Sequence, residues 1–181
     1  MARPRTGEQL AARRERRAEI TDPAQVMEAA AMFLAVRPRS VAETRRRLRH
    51  LGYPHPLVDQ VLDRLIEMEY LDDEAFARVW VESRDRARPR GETALRRELA
   101  LKGVAGQVAN AILAERSQNG DESADADGAR RLLERRRAAL EREEDPARRR
   151  QKAYRLLAAN GFDPGLCSEA SAEFVRENAA E

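Results

Sequence analysis

Two adjacent carboxylates, Asp72 and Asp73, are the residue pair whose type and spacing come nearest to metal or acid–base chemistry. Their setting argues against that use. They stand where one helical pattern stops and the next begins, with Phe76 and Ala77 following, and there a carboxylate accepts from the unpaired N–H groups that open a helix. Both read as caps. His50 and His55 flank Gly52 with no Cys, Asp or Glu at ligand spacing, and Cys167 is far from both in sequence, on an apolar helix face. A nucleophile–His–acid triad stays open on sequence order alone, but no nucleophile elbow and no Gly-rich phosphate loop is present. Gly103-Val104-Ala105-Gly106 has the G-x-x-G spacing of a KH loop without the strands that such a loop needs, so it reads as a helix stop. The acid-rich stretch from Asn119 to Gly128 lacks the central Gly and final Glu of a calcium loop. We therefore expect no catalytic, cofactor-binding or metal-ligating residue, and no enzyme.

Arginine is the other chemistry-bearing type. All but Lys102 and Lys152 of the 34 basic residues are arginine, on a chain of net charge +2. Arg37, Arg39, Arg45, Arg46, Arg47 and Arg49 crowd one segment against the single acid Glu43, while acids gather in 59–74, 121–127 and 141–145. Segregated sign on a nearly neutral chain suggests a basic face for a polyanion or an acidic partner. Arg45, Arg46 and Arg49 share one side of a helix, Arg96 and Arg97 recur on the corresponding helix downstream, and Arg86, Arg88 and Arg90 line the turn between. We read these eight as a continuous basic strip suited to phosphate or carboxylate contacts. Trp80 has the residue type of a base-stacking platform, but its spacing from Phe76 points to core packing.

The elements that must carry these residues are helices. Charged residues make up 36% and aromatics 4%, so the core is thin and built from Leu, Val and Ala, and no β-branched run suggests a strand. Asp22-Pro23 opens a helix that Pro38 stops, Ser40-Val41-Ala42-Glu43 is a capping box for a second, and Gly52 ends that one as a left-handed cap. Pro56 opens a third, with Leu57, Val61 and Leu65 inward. Helix, helix-Gly, helix then recurs at Gly103 and at Gly161, each with Leu four residues before (Leu48, Leu99, Leu157) and an apolar residue just after (Tyr53, Val104, Phe162). Such long periods, with one supersecondary unit each, indicate a helical array.

The stretch Tyr70-Leu71-Asp72-Asp73-Glu74-Ala75-Phe76-Ala77, with Tyr70 as a hydrophobic staple over the cap, resembles the Tyr-Leu-Asp-Asp-x-x-Phe-Ala signature of the RecX family. Arg39-Ser40-Val41-Ala42-Glu43 with Leu48 and Gly52 is similar to its first repeat, and Arg84, Gly91, Leu95, Glu98-Leu99 and Lys102-Gly103-Val104 to its second. The match covers about residues 28–115; the third repeat follows in pattern only. The resemblance implies an all-α, elongated, curved array of three tandem three-helix repeats. It also implies a regulator that binds RecA and the RecA–DNA filament, opposes filament growth, and so modulates recombination and SOS-type activities. Under it Tyr70, Leu71, Asp72, Asp73, Phe76, Ala77 and Gly103 are structural.

The boundaries that follow are a mobile basic arm over 1–20, repeats over 21–69 and 70–116, a polar linker over 117–127, and a third repeat with a short tail over 128–181. One cysteine, no apolar stretch of signal-peptide length and no membrane-length apolar run lead us to expect a soluble cytoplasmic protein. We further expect a monomer whose basic helices also meet the DNA backbone directly. The alternative is a helix-turn-helix transcription regulator, which should gather Gln, Asn, Ser and Arg on one recognition helix.

Overall fold

The computed structural model describes residues 7–118 and 124–177, and among these residues every regular element is a helix. In chain order they are α1 Gly7–Ala18, α2 Pro23–Leu34, α3 Val41–Leu51, α4 His55–Glu67, α5 Asp73–Ala87, α6 Glu92–Lys102, α7 Gly106–Gln118, α8 Ala124–Glu134, α9 Arg137–Leu140, α10 Pro146–Ala159 and α11 Pro164–Glu177. The chain divides into two compact units, one of residues 1–76 with 102–104, the other of residues 77–101 with 105–181.

The first unit forms around Val26, Ala30, Leu48, Val58, Val61, Leu62 and Leu65, all essentially closed to solvent. Local chemistry sets its helix ends. Asp22 accepts from Ala24 N–H at 2.9 Å before the proline that opens α2. Ser40 and Glu43 make the full reciprocal capping box at the head of α3. Gly52 ends α3 at φ +100°.

The second unit has its clearest core in the third repeat, where Ala129, Leu133, Leu140, Ala153, Leu157, Phe162, Cys167 and Phe174 pack together. Asp145 caps α10, and Asp163 caps α11 by accepting from Gly165 N–H at 2.8 Å. The expected single helix from Ala129 to Leu140 is two pieces, α8 and α9. The break falls at Arg135 and Arg136, where the Arg135 guanidinium donates to the Ala87 and Arg86 carbonyls at 2.7 and 2.9 Å, satisfying acceptors exposed at the end of α5.

The polar linker read over 117–127 is shorter than expected, because α7 runs to Gln118 and α8 begins at Ala124; residues 119–123 lie outside the described residues. The segment read as a mobile basic arm is helical from Gly7 to Ala18, and its first six residues lie outside the described residues. No residue of α1 is buried, which is why no apolar stripe announced it. Arg17 holds it instead, donating to the Leu51 carbonyl at 3.3 Å and lying 5.2 Å from the centre of the Tyr53 ring.

One joint recurs where consecutive repeats meet. In the first unit the Ser40 hydroxyl donates to the Lys102 carbonyl at 2.6 Å, Val41 N–H donates to Asp73 Oδ1 at 2.9 Å, and a Cβ added at Gly103 would overlap that of Ala42. In the second unit Gly91 N–H donates to the Asn160 carbonyl at 3.1 Å, and Glu92 N–H donates to Asp125 Oδ2 at 3.0 Å. There a Cβ at Gly161 would come 2.5 Å from that of Ala94. Gly103 and Gly161 both take φ +81°, so each glycine is required twice, for its left-handed backbone and for the close approach. The end of α1 copies the same joint. Its Arg17 reaches the carbonyl just before Gly52, and a Cβ at Gly52 would lie 2.7 Å from the Arg14 carbonyl oxygen. Thus α1 sits against α3 in the way that a preceding repeat would.

Glu43 braces the joint of the first unit. It pairs with Lys102 Nζ at 2.8 Å and Arg37 at 3.0 Å, with only 11% of its side chain exposed. Burial alone pushes its carboxyl pKa up, but the hydrogen bonds and charges of Lys102 and Arg37 outweigh that and hold it at about 2. A folded pKa below the unfolded one means stability fully present above the unfolded value of roughly 4.3 and lost as pH falls through the folded one. Wild type should therefore exceed Glu43→Gln by on the order of 2 kcal/mol near neutrality, in urea unfolding. The gap should close between about pH 5 and pH 2; a gap that stays constant over that window contradicts the pairing.

Candidate functional site

The two aspartates of the motif part company in the structure. Asp72 caps α5, its Oδ1 accepting from Glu74 N–H at 2.7 Å and Ala75 N–H at 3.1 Å. Asp73, expected from sequence to cap the helix that follows it, is engaged elsewhere. It is the residue that accepts from Val41 N–H, so it caps α3 across the joint. Burial pushes its pKa up and the Asp72 charge adds to this, opposed by the Val41 N–H. Tyr70, expected as the staple, is 66% exposed, while Leu71, directly before the cap, is 2% exposed and packs in the core of the first unit. Phe76 and Ala77 are buried, as expected of structural residues, whereas Tyr70 is not.

Among the arginines of α3, Arg45 and Arg49 both reach Asp59 of α4 at 3.0 Å. Burial of Asp59 raises its pKa, but the Arg45 hydrogen bond and the Arg49 charge and hydrogen bond pull it below the usual carboxylate range. Arg46 differs: it is exposed and has no carboxylate partner among the described residues. Its neighbour Arg47 is also exposed, with the Phe33 ring at 5.8 Å, although the sequence reading left it out of the strip. The signal was present in the run from Arg37 to Arg49, but choosing one side of α3 excluded it.

In the second unit most of the predicted arginines are likewise engaged. Arg86 pairs with Glu82 at 3.4 Å on the open surface. Arg90 bonds Asn160 and lies 3.7 Å from Glu98. Arg96 pairs with Glu92 and donates to Asn110 at 2.9 Å. Arg88 and Arg97 are exposed, with no side-chain acceptor among the described residues. Of the eight arginines predicted, then, Arg46, Arg88 and Arg97 are the ones whose guanidinium groups are uncommitted among the described residues.

Glu98 is the hub that the sequence did not announce. It accepts from Trp80 Nε1 at 2.9 Å and from Arg84 Nε at 2.7 Å, and the Arg84 guanidinium lies 4.5 Å from the centre of the Trp80 ring. Trp80 is half-buried, neither the core residue expected nor an open stacking platform, because its indole N–H must keep a polar partner. Arg116 is 6% exposed and holds Asp85 at 2.9 Å and Asp125 at 2.5 Å. It carries the Asp125 carboxylate that caps α6, which makes it part of the repeat joint.

His50 and His55 are exposed. No group of three or more His, Cys, Asp or Glu among the described residues is placed to hold a metal ion. Cys167 is buried, and burial pushes its thiol pKa up. Gly103 ends α6 and Gly106 opens α7, so the G-x-x-G run is a turn between helices. No helix among the described residues is long and apolar enough to cross a membrane.

Comparison with known proteins agrees with this arrangement. Residues 27–65 match the model of the RecX first three-helix domain, and residues 72–113 that of the RecX second three-helix domain. A regulatory protein RecX from Mycobacterium sp. (strain JLS) is 35% identical over 137 residues, spanning 74% of this chain and 73% of its own. Another regulatory protein RecX, from Mycobacterium avium (strain 104), is 36% identical over 149 residues, spanning 80% and 82%. The crystal structure of RecX from Lactobacillus salivarius superposes with a TM-score of 0.72 at 17% identity, over 84% of this chain and 96% of that one, a likeness of fold.

Proposed function

The chain belongs to the RecX family of regulatory proteins, and from that premise we propose that it restrains the RecA recombinase by binding RecA–DNA filaments and opposing their growth. It does so without catalysing a reaction, as a monomer in the cytoplasm, through backbone phosphates and acidic protein surface. The observation that supports this reading is that Arg46 on α3 of the first repeat and Arg97 on α6 of the second are exposed and uncommitted among the described residues. Their helices, VAETRRRLRHL and ETALRRELALK, carry no Asn or Gln for reading base edges. Arginine among Ala and Leu suits contact with backbone phosphates, as a protein that must act anywhere along a filament requires. The transcription-regulator alternative has no observation in its favour.

The reading is tested by adding the purified protein at substoichiometric levels to RecA on single-stranded DNA and following ATP hydrolysis and strand exchange. Both should slow, because one bound regulator stops many later protomer additions. The protein alone should hydrolyse no ATP. Inhibition that needs one regulator per RecA protomer, or none at all, would overturn the growth-blocking mechanism.

A further inference from the structure

Within the first unit, a groove of about 860 Å³ opens between α1, α2 and α3. Its apolar side is unusually open: Leu10 is 50% exposed, Met32 64% and Val36 76%, with the half-buried Phe33 beside them. Single exposed apolar residues are ordinary, but several facing one concavity mark a contact surface. The charged lining residues are Arg13, Arg14, Arg17 and Arg47 against the single acid Glu28. Arg17 is spent on seating α1, whereas Arg13, Arg14 and Arg47 have no carboxylate partner among the described residues. The wall made by α1 is held in place by the copied repeat joint at Leu51 and Gly52.

We infer that this groove is a docking site for an acidic amphipathic helix of a partner protein. Apolar anchors one helical turn apart would rest on Met32, Val36 and Leu10, and flanking carboxylates would meet Arg13, Arg14 and Arg47. Nucleic acid would satisfy the arginines but would leave Met32 and Val36 against a charged backbone, so the apolar floor favours protein. The residues preceding α1 add Arg3 and Arg5, which repeat the charge of the groove and do not complement it. This site is separate from Arg46, Arg88 and Arg97, and it stands or falls independently of the filament reading.

The test uses the full chain and a fluorescein-labelled helical peptide with Leu at i, i+4 and i+7 and Glu on the flanking positions. A peptide of equal charge with Ser in place of Leu and a single-stranded oligothymidine serve as the other probes. Met32→Gln with Val36→Gln keeps the charge and alters side chains that are mostly exposed; Arg47→Glu is the second variant, read by itself if the first does not fold. The Leu peptide should bind saturably, and binding should weaken about tenfold or more with the Ser peptide and with either variant. The Gln pair should leave oligothymidine binding unchanged. Equal binding of the two peptides, unaltered binding by both variants, or no saturable binding overturns the proposal. Loss of oligothymidine binding in the Gln pair would reassign the groove to nucleic acid. Concentration-dependent dimerisation of the wild type that the Gln pair abolishes would reassign it to a second copy of the chain.

Discussion

Gly91→Ala should lower stability by about 3 kcal/mol or more, although it adds one methyl group at a residue with an ordinary backbone angle. The methyl would run into the Gly161 carbonyl group and the Phe162 Cα, all backbone atoms that no rotamer change can move aside. Relief requires separating the head of α6 from the end of α10. That separation stretches the Gly91 N–H bond to the Asn160 carbonyl and the Arg90 contact with Asn160. It also opens the seat in which Ala94 packs on Gly161. At roughly 2–4 °C per kcal/mol for a chain of this size, the melting temperature should fall by about 10 °C. Gly106→Ala is the internal control. It opens α7, a Cβ there meets nothing within 4 Å, and helix propensity favours alanine by roughly 0.5–1 kcal/mol. Thermal unfolding followed by circular dichroism separates the two. If Gly91→Ala melts with the wild type, the close approach at this joint is wrong.

The contrast between those two glycines shows what a sequence can and cannot announce. Features settled within a few residues were legible: the Asp22, Ser40 and Asp72 caps, and the helix ends at Gly52, Gly103 and Gly161. Their physics is local, since a side chain meets a backbone group one turn away. Asp73 looked the same in sequence but bonds Val41, 32 positions earlier, and only the packed repeats bring the two together. The same holds for Asp59, which claims Arg45 and Arg49 from the preceding helix, and for Glu98, which gathers Trp80 and Arg84. Helix α1 escaped because it docks through an arginine and its own backbone and not through an apolar stripe. The crowding of arginine was thus legible as composition, while which of these charges remain uncommitted among the described residues was decided by tertiary partners.

That distinction sets the second large effect. Charge reversal of Arg46, Arg88 and Arg97 together should weaken inhibition of RecA by about tenfold or more at low salt, with the fold intact. All three are exposed and uncommitted among the described residues, so reversal breaks no ion pair seen there. For Arg45, Arg49, Arg90 and Arg96 a phosphate must first displace Asp59, Glu98, Asn160, Glu92 or Asn110, which offsets part of the new contact. Each uncommitted arginine that does meet a phosphate releases about 0.7–0.9 of a counterion, so the log–log salt slope of inhibition should flatten by roughly 2–3 in the triple variant. Neutralising Arg45 and Arg49 should do less to the slope, and at most about 1 kcal/mol to stability, because the Asp59 they release is 44% exposed and can be solvated. The measurement is the protein concentration for half-inhibition of RecA ATP hydrolysis across a salt series, with circular dichroism to confirm folding. A folded triple variant that inhibits like the wild type at every salt concentration would make these arginines a solvated surface. The contact with the filament would then have to be sought on other residues.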